Sequence, residues 1–186
     1  AVAGTAVRVL KKDPAAGELL LAKLRDDRVP AELKPDMILV LGELRYALAY
    51  DDLAAIVDDR SQEKIWRMYA AESLGRLADP RAIPLLRGLF AEDDALLRSY
   101  AASALGRFDE PGVSEVLEQA LRDSNWRVRS TGIKALAERK GWTISELADR
   151  TIPSGGFDES GTMELSYGLR SFTAKLLPDF KVELFN

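Results

Sequence analysis

Between Ile65 and Arg150, adding 31 to a residue number lands on an equivalent residue. Arg67 becomes Arg98 and Arg129. Ala70 becomes Ala101 and Gly132, Leu74 becomes Leu105 and Leu136, and Leu85 becomes Val116 and Leu147. A fixed period of this size is the mark of a stacked repeat array, because one helical pair cannot bury its apolar face alone. The units read as residues 65–94, 96–125 and 127–150. A degenerate first unit, Pro35–Asp59, carries Leu41-Gly42 where later units carry Leu74-Gly75 and Leu105-Gly106. The offset from Leu41 to Leu74 is 33, so two residues are inserted, and the YALAYDD connection is the expected place.

Each unit divides into two helices. The first unit reads as a helix over Met37–Ala49 and a partner over Leu53–Val57. In the next, Glu63–Leu77 is amphipathic with Ile65, Tyr69, Leu74 and Leu77 expected inward, and Arg81–Phe90 is its partner. Asp79-Pro80 and Glu110-Pro111 separate the two helices, with Asp able to cap and Pro suited to a first helical position. In the last unit Gly141-Trp142 takes that place and Thr143 is the expected N-cap. Upstream, the stretch from Pro14 has Leu20, Leu21 and Leu24 at helical spacing.

The pattern changes after Arg150. TIPSGGFDESG is a Gly/Ser/Pro loop, and TMELSYG, RSFTAKL and FKVELF alternate apolar and polar residues as short strands do. The expected fold is therefore mainly α, an α-solenoid over residues 1–150. A small antiparallel β-meander over 151–186 is expected to fold back as a cap near Trp142 and Ile144, its last strand leaving an open edge for self-association.

Composition removes whole classes of chemistry. The chain has no Cys and no His, so Ser-His-Asp and Cys-His catalysis and imidazole or thiolate metal sites are excluded. The net charge of −4 runs against duplex binding, which needs a basic excess. No apolar run approaches a membrane span. The start shows no signal peptide, so the expected location is cytoplasmic. The chain lacks an initiator Met and stops within KVELFN, and it reads as a piece of a longer protein. Neither a cofactor nor a metal is expected. Asp158 and Glu159 lack the repeated ligands of a calcium loop, and Gly155-Gly156 precedes no Lys-Ser/Thr.

The segments AAESLGRLADPRAIPLL, AASALGRFDEPGVSEVL and DSNWRVRSTGIKAL resemble HEAT-like repeats of the short bacterial kind, the phycocyanobilin-lyase type. That resemblance covers roughly residues 35–150 and implies a right-handed α-solenoid. It also implies Arg residues paired with acids in the turns between units. The tail GFDESGTMELSYGLRSFTAKLLPDFKVELFN resembles a segment of large bacterial proteins known as molybdate metabolism regulator-like, often carrying a WGR domain. It does so through Gly161, Leu165, Tyr167-Gly168 and Arg170 to Thr173. This second likeness implies a regulator and supplies no mechanism.

The row Arg67, Arg98, Arg129 could clamp phosphates. The favoured reading is a structural ladder in which each Arg pairs with a group six residues earlier, at Ser61, Glu92 and Asp123. Arg76 and Arg107 face Glu138 at the third equivalent, and a stripe that reverses sign cannot track a phosphate backbone. Trp66 and Trp126 read as packing residues at the seams between units. On the second helices, Arg87, Glu118 and Asp149 form one row and Pro84, Glu115 and Glu146 another. Glu115, Glu118, Glu146 and Asp149 form a candidate acidic patch for a basic peptide or protein. The expected function is a protein-interaction scaffold without catalysis, within a larger regulator-like protein. The alternatives are a non-catalytic piece of an enzyme whose active site lies beyond Asn186, and a nucleic-acid-binding module.

Overall fold

The computed structural model describes residues 10, 13 and 15–140, and the strand backbone of 162–167, 170–176 and 182–185. Among these residues the helices are α1 (Ala16–Arg25), α2 (Lys34–Glu43), α3 (Tyr50–Asp58), α4 (Lys64–Leu77), α5 (Ala82–Gly88), α6 (Ala95–Leu105), α7 (Val113–Ala120) and α8 (Trp126–Lys140). Short 3-10 turns occupy Ala31–Leu33, Ala47–Ala49 and Leu89–Ala91. Mainly helical structure with repeating pairs is the architecture of an α-solenoid. Beyond it, the backbone of β1 (Thr162–Tyr167), β2 (Arg170–Leu176) and β3 (Val182–Phe185) is paired antiparallel in that order, with Leu165 opposite Phe172 and Ala174 opposite Leu184. The expected loop over 151–160, the Thr143 cap, and Trp142, Ile144 and Leu147 lie outside the described residues.

The first unit differs from its expected outline. The helix expected over Met37–Ala49 stops at Glu43. Arg45 adopts a left-handed conformation with φ 51°, the amide of Tyr46 donates to the Leu41 carbonyl, and that of Arg45 donates to Gly42. This is a Schellman ending built on a non-glycine residue. The partner helix then begins at Tyr50, before the expected Leu53.

The two inserted residues also lie elsewhere. Ala49, Ala82 and Val113 are equivalent buried positions, as are Leu53, Leu86 and Leu117. The offset from the first unit to the second is still 33 at Leu53 and has fallen to 31 at Glu63, which precedes α4 as Asp94 precedes α6. The extra residues therefore sit in the turn between α3 and α4. YALAYDD was the expected site because it looks like a loop; in fact Tyr50, Asp51 and Asp52 are the first turn of α3.

Turn chemistry restarts each helix. The Asp94 side chain accepts the amides of Leu96 and Leu97 at 2.8 and 3.2 Å and caps α6. Asp79 does something different from the expected cap: its Oδ1 accepts the Arg81 amide at 3.0 Å, shaping the Pro80 turn, and α5 begins only at Ala82. Each second helix lies more closely along the first helix of the following unit than along its own, α3 on α4, α5 on α6, and α7 on α8.

The core is a continuous column. Leu41, Leu74, Leu105 and Leu136 are all fully buried, at about 1.5–3 kcal/mol each for a side chain withdrawn from water. Leu85 is only half-buried; its neighbour Leu86, in register with Leu117, is the buried one. On α4, Ile65, Tyr69 and Leu77 are half-buried, and Met68, Ala70, Ala71 and Leu74 make the interior face. Ser73 and Gly75 are buried as well, because α4 is covered by units on both sides. The seams are tight. A Cβ on Gly75 would lie 2.7 Å from Ala104 Cα, and one on Gly106 would lie 2.8 Å from Ala135 Cβ. Gly42 meets Ser73 in the same way, and Ser73 Oγ donates to the Ile38 carbonyl at 2.8 Å.

Candidate functional site

The Arg row follows directly from the 31-residue period, which places Arg67, Arg98 and Arg129 at one position of successive first helices. Its wiring differs from the expected one. The carboxylates that bind Arg67 and Arg98 come 25 residues later, from the next turn between units. Arg67 Nη2 donates to Glu92 Oε1 at 2.8 Å. Arg98 Nε and Nη2 donate to Asp123 Oδ2 and Oδ1 at 2.7 and 2.9 Å, a two-pronged pair. The group six residues earlier is a backbone carbonyl. Arg98 Nη1 donates to the Glu92 and Asp93 carbonyls, and Arg129 Nη1 to those of Asp123 and Ser124. Ser61 is not a partner of Arg67; it bonds to Asp59, and Arg67 Nε donates to the Val57 carbonyl at 2.9 Å. The longer turn of the first unit accounts for that shift.

Glu92 and Asp123 thus each serve two arginines, the side chain for the preceding one and the carbonyl for the next. Arg67, Arg98 and both acids are largely withdrawn from solvent. The Arg67 guanidinium holds Glu92 below the usual carboxylate range, and Arg98 does the same for Asp123, in both cases against the opposing effect of burial. Asp123 in turn pushes Arg98 up. A phosphate backbone could not reach such guanidinium groups without breaking the array.

Other charges on the first helices are also internally engaged. Arg76 bonds to Glu43 and to Glu72, the latter at 3.0 Å, and Arg107 reaches the same Glu72 at 2.7 Å. Lys134 and Glu138 lie 4.0 Å apart. Between α6 and α8 these side chains border an open cleft of about 260 Å³ with Ser103 and Thr131. Among the described residues, no cluster of acids could hold a metal ion, and no helix is long and apolar enough to cross a membrane.

On the second helices, Arg87, Glu115 and Glu118 are exposed. Glu115 and Glu118 stand one turn apart on α7 and share a face. Glu146 and Asp149, the other half of the candidate acidic patch, lie outside the described residues, as do Asp158, Glu159 and Gly155-Gly156.

Comparison with known families matches residues 91–151 to HEAT repeats and residues 66–92 to the PBS lyase HEAT-like repeat. HEAT-like repeats are present here. No curated protein matches the chain. The HEAT-like segments span α4 to α8 and therefore include the whole ladder.

Two features were missed in the sequence. Trp126, read as a packing residue, is 57% exposed, with the Arg127 guanidinium over its ring at 5.4 Å. Trp66 does pack against the core. Among the described residues, Arg139 Nε and Nη1 are buried without a hydrogen-bond partner, and so is Glu110 Oε2. Arg139 Nη1 lies 3.8 Å from Asp109 Oδ1. A signal was available: stepping back 31 residues from Arg139 reaches Phe108 and then Leu77, two apolar positions.

Proposed function

We propose that the chain is a protein-interaction scaffold, a HEAT-like helical array without chemistry of its own, lying within a larger regulator-like protein. HEAT repeats commonly mediate protein interaction. The observation that supports this reading is the division of charge between the two helical layers. Arg67, Arg76 and Arg98 of the first helices are buried or half-buried and bonded within the array, whereas Arg87, Glu115 and Glu118 of the second helices are exposed. Outward side chains on a rigid frame suit recognition. The partner proposed is a basic peptide or protein segment, held by Glu115 and Glu118 together with Glu146 and Asp149. A right-handed stack with the C-terminal strands as a meander capping the last unit belongs to the same proposal, as does the regulator context read from the tail.

Binding of a Lys/Arg-rich peptide to the full chain, followed across salt concentrations, tests it. Exposed charges are screened within about 8–10 Å at ordinary ionic strength, so affinity should fall steeply with salt. Glu115→Lys combined with Glu118→Lys should weaken binding about tenfold while leaving the helical signal unchanged. Salt-independent binding, or equal binding by the double variant, overturns the acidic face as the partner site.

A further inference from the structure

Among the described residues, the ladder has one open rung. Arg129 is held on a fixed pedestal, its Nη1 donating to the Asp123 and Ser124 carbonyls at 2.9 Å each. That is the same pedestal on which Arg98 stands through Glu92 and Asp93. Arg98 then uses Nε and Nη2 to grip Asp123. Among the described residues, no carboxylate occupies that fork on Arg129. Stepping 31 residues from Asp123 reaches Ser154, which carries none.

A second observation falls at the same place. Trp126 is one helical turn before Arg129 on α8. Stepping back by 31 gives Ala95 and then Lys64, and Lys64 reaches forward to Asp94 of the following turn at 3.0 Å. The position of Trp126 is therefore the one that meets the next turn in the array. There the chain presents an indole, 57% exposed. In the earlier units the matching surface is covered by a turn that places Glu92 on Arg67 and Asp94 on Lys64.

We infer that Trp126 and Arg129 form a docking seat for an acidic turn of a partner polypeptide, its carboxylate entering the Arg129 fork in two-pronged fashion and an apolar neighbour lying on Trp126. The internal pairs define the ligand chemistry. A guanidinium fork whose equivalent takes Asp123 at 2.7 and 2.9 Å is matched to a planar carboxylate. Asp123, whose carboxylate already feels the Arg129 charge, reduces the local positive potential and disfavours a doubly charged phosphate. The seat accepts the opposite charge from the Glu115 and Glu118 face, so it goes beyond the basic-partner reading and stands or falls separately from it.

The probe is a synthetic peptide copying the chain's own turn, LRGLFAEDDALL (residues 86–97), added to the full chain. The readouts are the Arg129 side-chain Nε–H resonance and Trp126 fluorescence. The expected result is a saturable shift of both, with affinity reduced at least tenfold by Arg129→Lys, which keeps the charge and loses the fork. Trp126→Ala, at an exposed position that leaves folding intact, should reduce it severalfold. The peptide with Gln and Asn in place of its three acids should not bind. Equal binding of that neutral peptide overturns the proposal, as does an unmoved Arg129 signal at millimolar peptide. Stronger displacement by inorganic phosphate or a single-stranded oligonucleotide also overturns it, pointing to a general anion site. A changed Arg129 signal in Asp158→Asn/Glu159→Gln without any peptide overturns it too, because the chain would then fill its own fork.

Discussion

The two helical layers of this array are built on opposite terms. First helices α2, α4, α6 and α8 approach through glycine and small residues, with Gly42 against Ser73, Gly75 against Ala104 and Gly106 against Ala135. Second helices α3, α5 and α7 are shorter, and Gly88 at the end of α5 has nothing within 4 Å of where a Cβ would stand. One layer fixes the spacing of the units and tolerates little change. The other offers positions where Arg87 can be followed by Glu118 at no cost to packing. The same residue type, glycine, marks close approach in the first layer and open space in the second.

The largest effect expected from breaking this contrast is at the seam. Gly75→Val would drive a branched side chain into the Ala104 backbone, which cannot swing aside, and should destabilise by roughly 3 kcal/mol. Chemical denaturation should show a lower midpoint with an unchanged slope; a loss under 1 kcal/mol would mean the units slide freely past each other.

The ladder comes next. Arg98→Met leaves Asp123 part-buried and unpaired and should cost about 2–3 kcal/mol. Its pH dependence has a definite sign. Asp123 is depressed in the folded state by Arg98, so the pair's contribution is complete above the ordinary Asp value of about 4 and fades as pH falls through the folded pKa. The difference in stability between wild type and Arg98→Met should therefore shrink in acid below about pH 4. A constant gap would mean that packing of the arginine stem dominates.

The smallest effect, and one of opposite sign, belongs to the second layer. Gly88→Ala adds a methyl in open space on a helical backbone and should stabilise by about 0.5–1 kcal/mol. A thermal scan that moved downward would show the second layer to be as closely fitted as the first.

The period, the buried Leu74, Leu105 and Leu136, and the two-helix unit were legible because they repeat and because periodicity reports burial. Directionality was not. A sequence pairs Arg98 equally well with Glu92 six residues before or Asp123 25 residues after; only the stacking decides that carbonyls come from the first and the carboxylate from the second. The site of the extra two residues was hidden because Tyr50, Asp51 and Asp52 look like a loop until the helix beginning there is seen. Trp126 misled because aromatic residues usually mark cores, and a position's exposure depends on whether a further unit covers it. Half of the acidic face, Glu146 and Asp149, rests on sequence alone.

Taking each carboxylate from the far end of its own unit, and its backbone carbonyls from the end of the unit before, gives the array a polarity like that of a head-to-tail polymer. The units 65–94 and 96–125 each close their own ion pair and hand backbone carbonyls forward to the next arginine. Duplicating an interior unit by gene duplication would add one filled rung and leave the others as they are, because the inserted copy brings one acid and one arginine in the right order. Lengthening by whole units is thus neutral at the joints, whereas insertion of one helix of a unit alone would bring a guanidinium without its carboxylate or a carboxylate without its guanidinium.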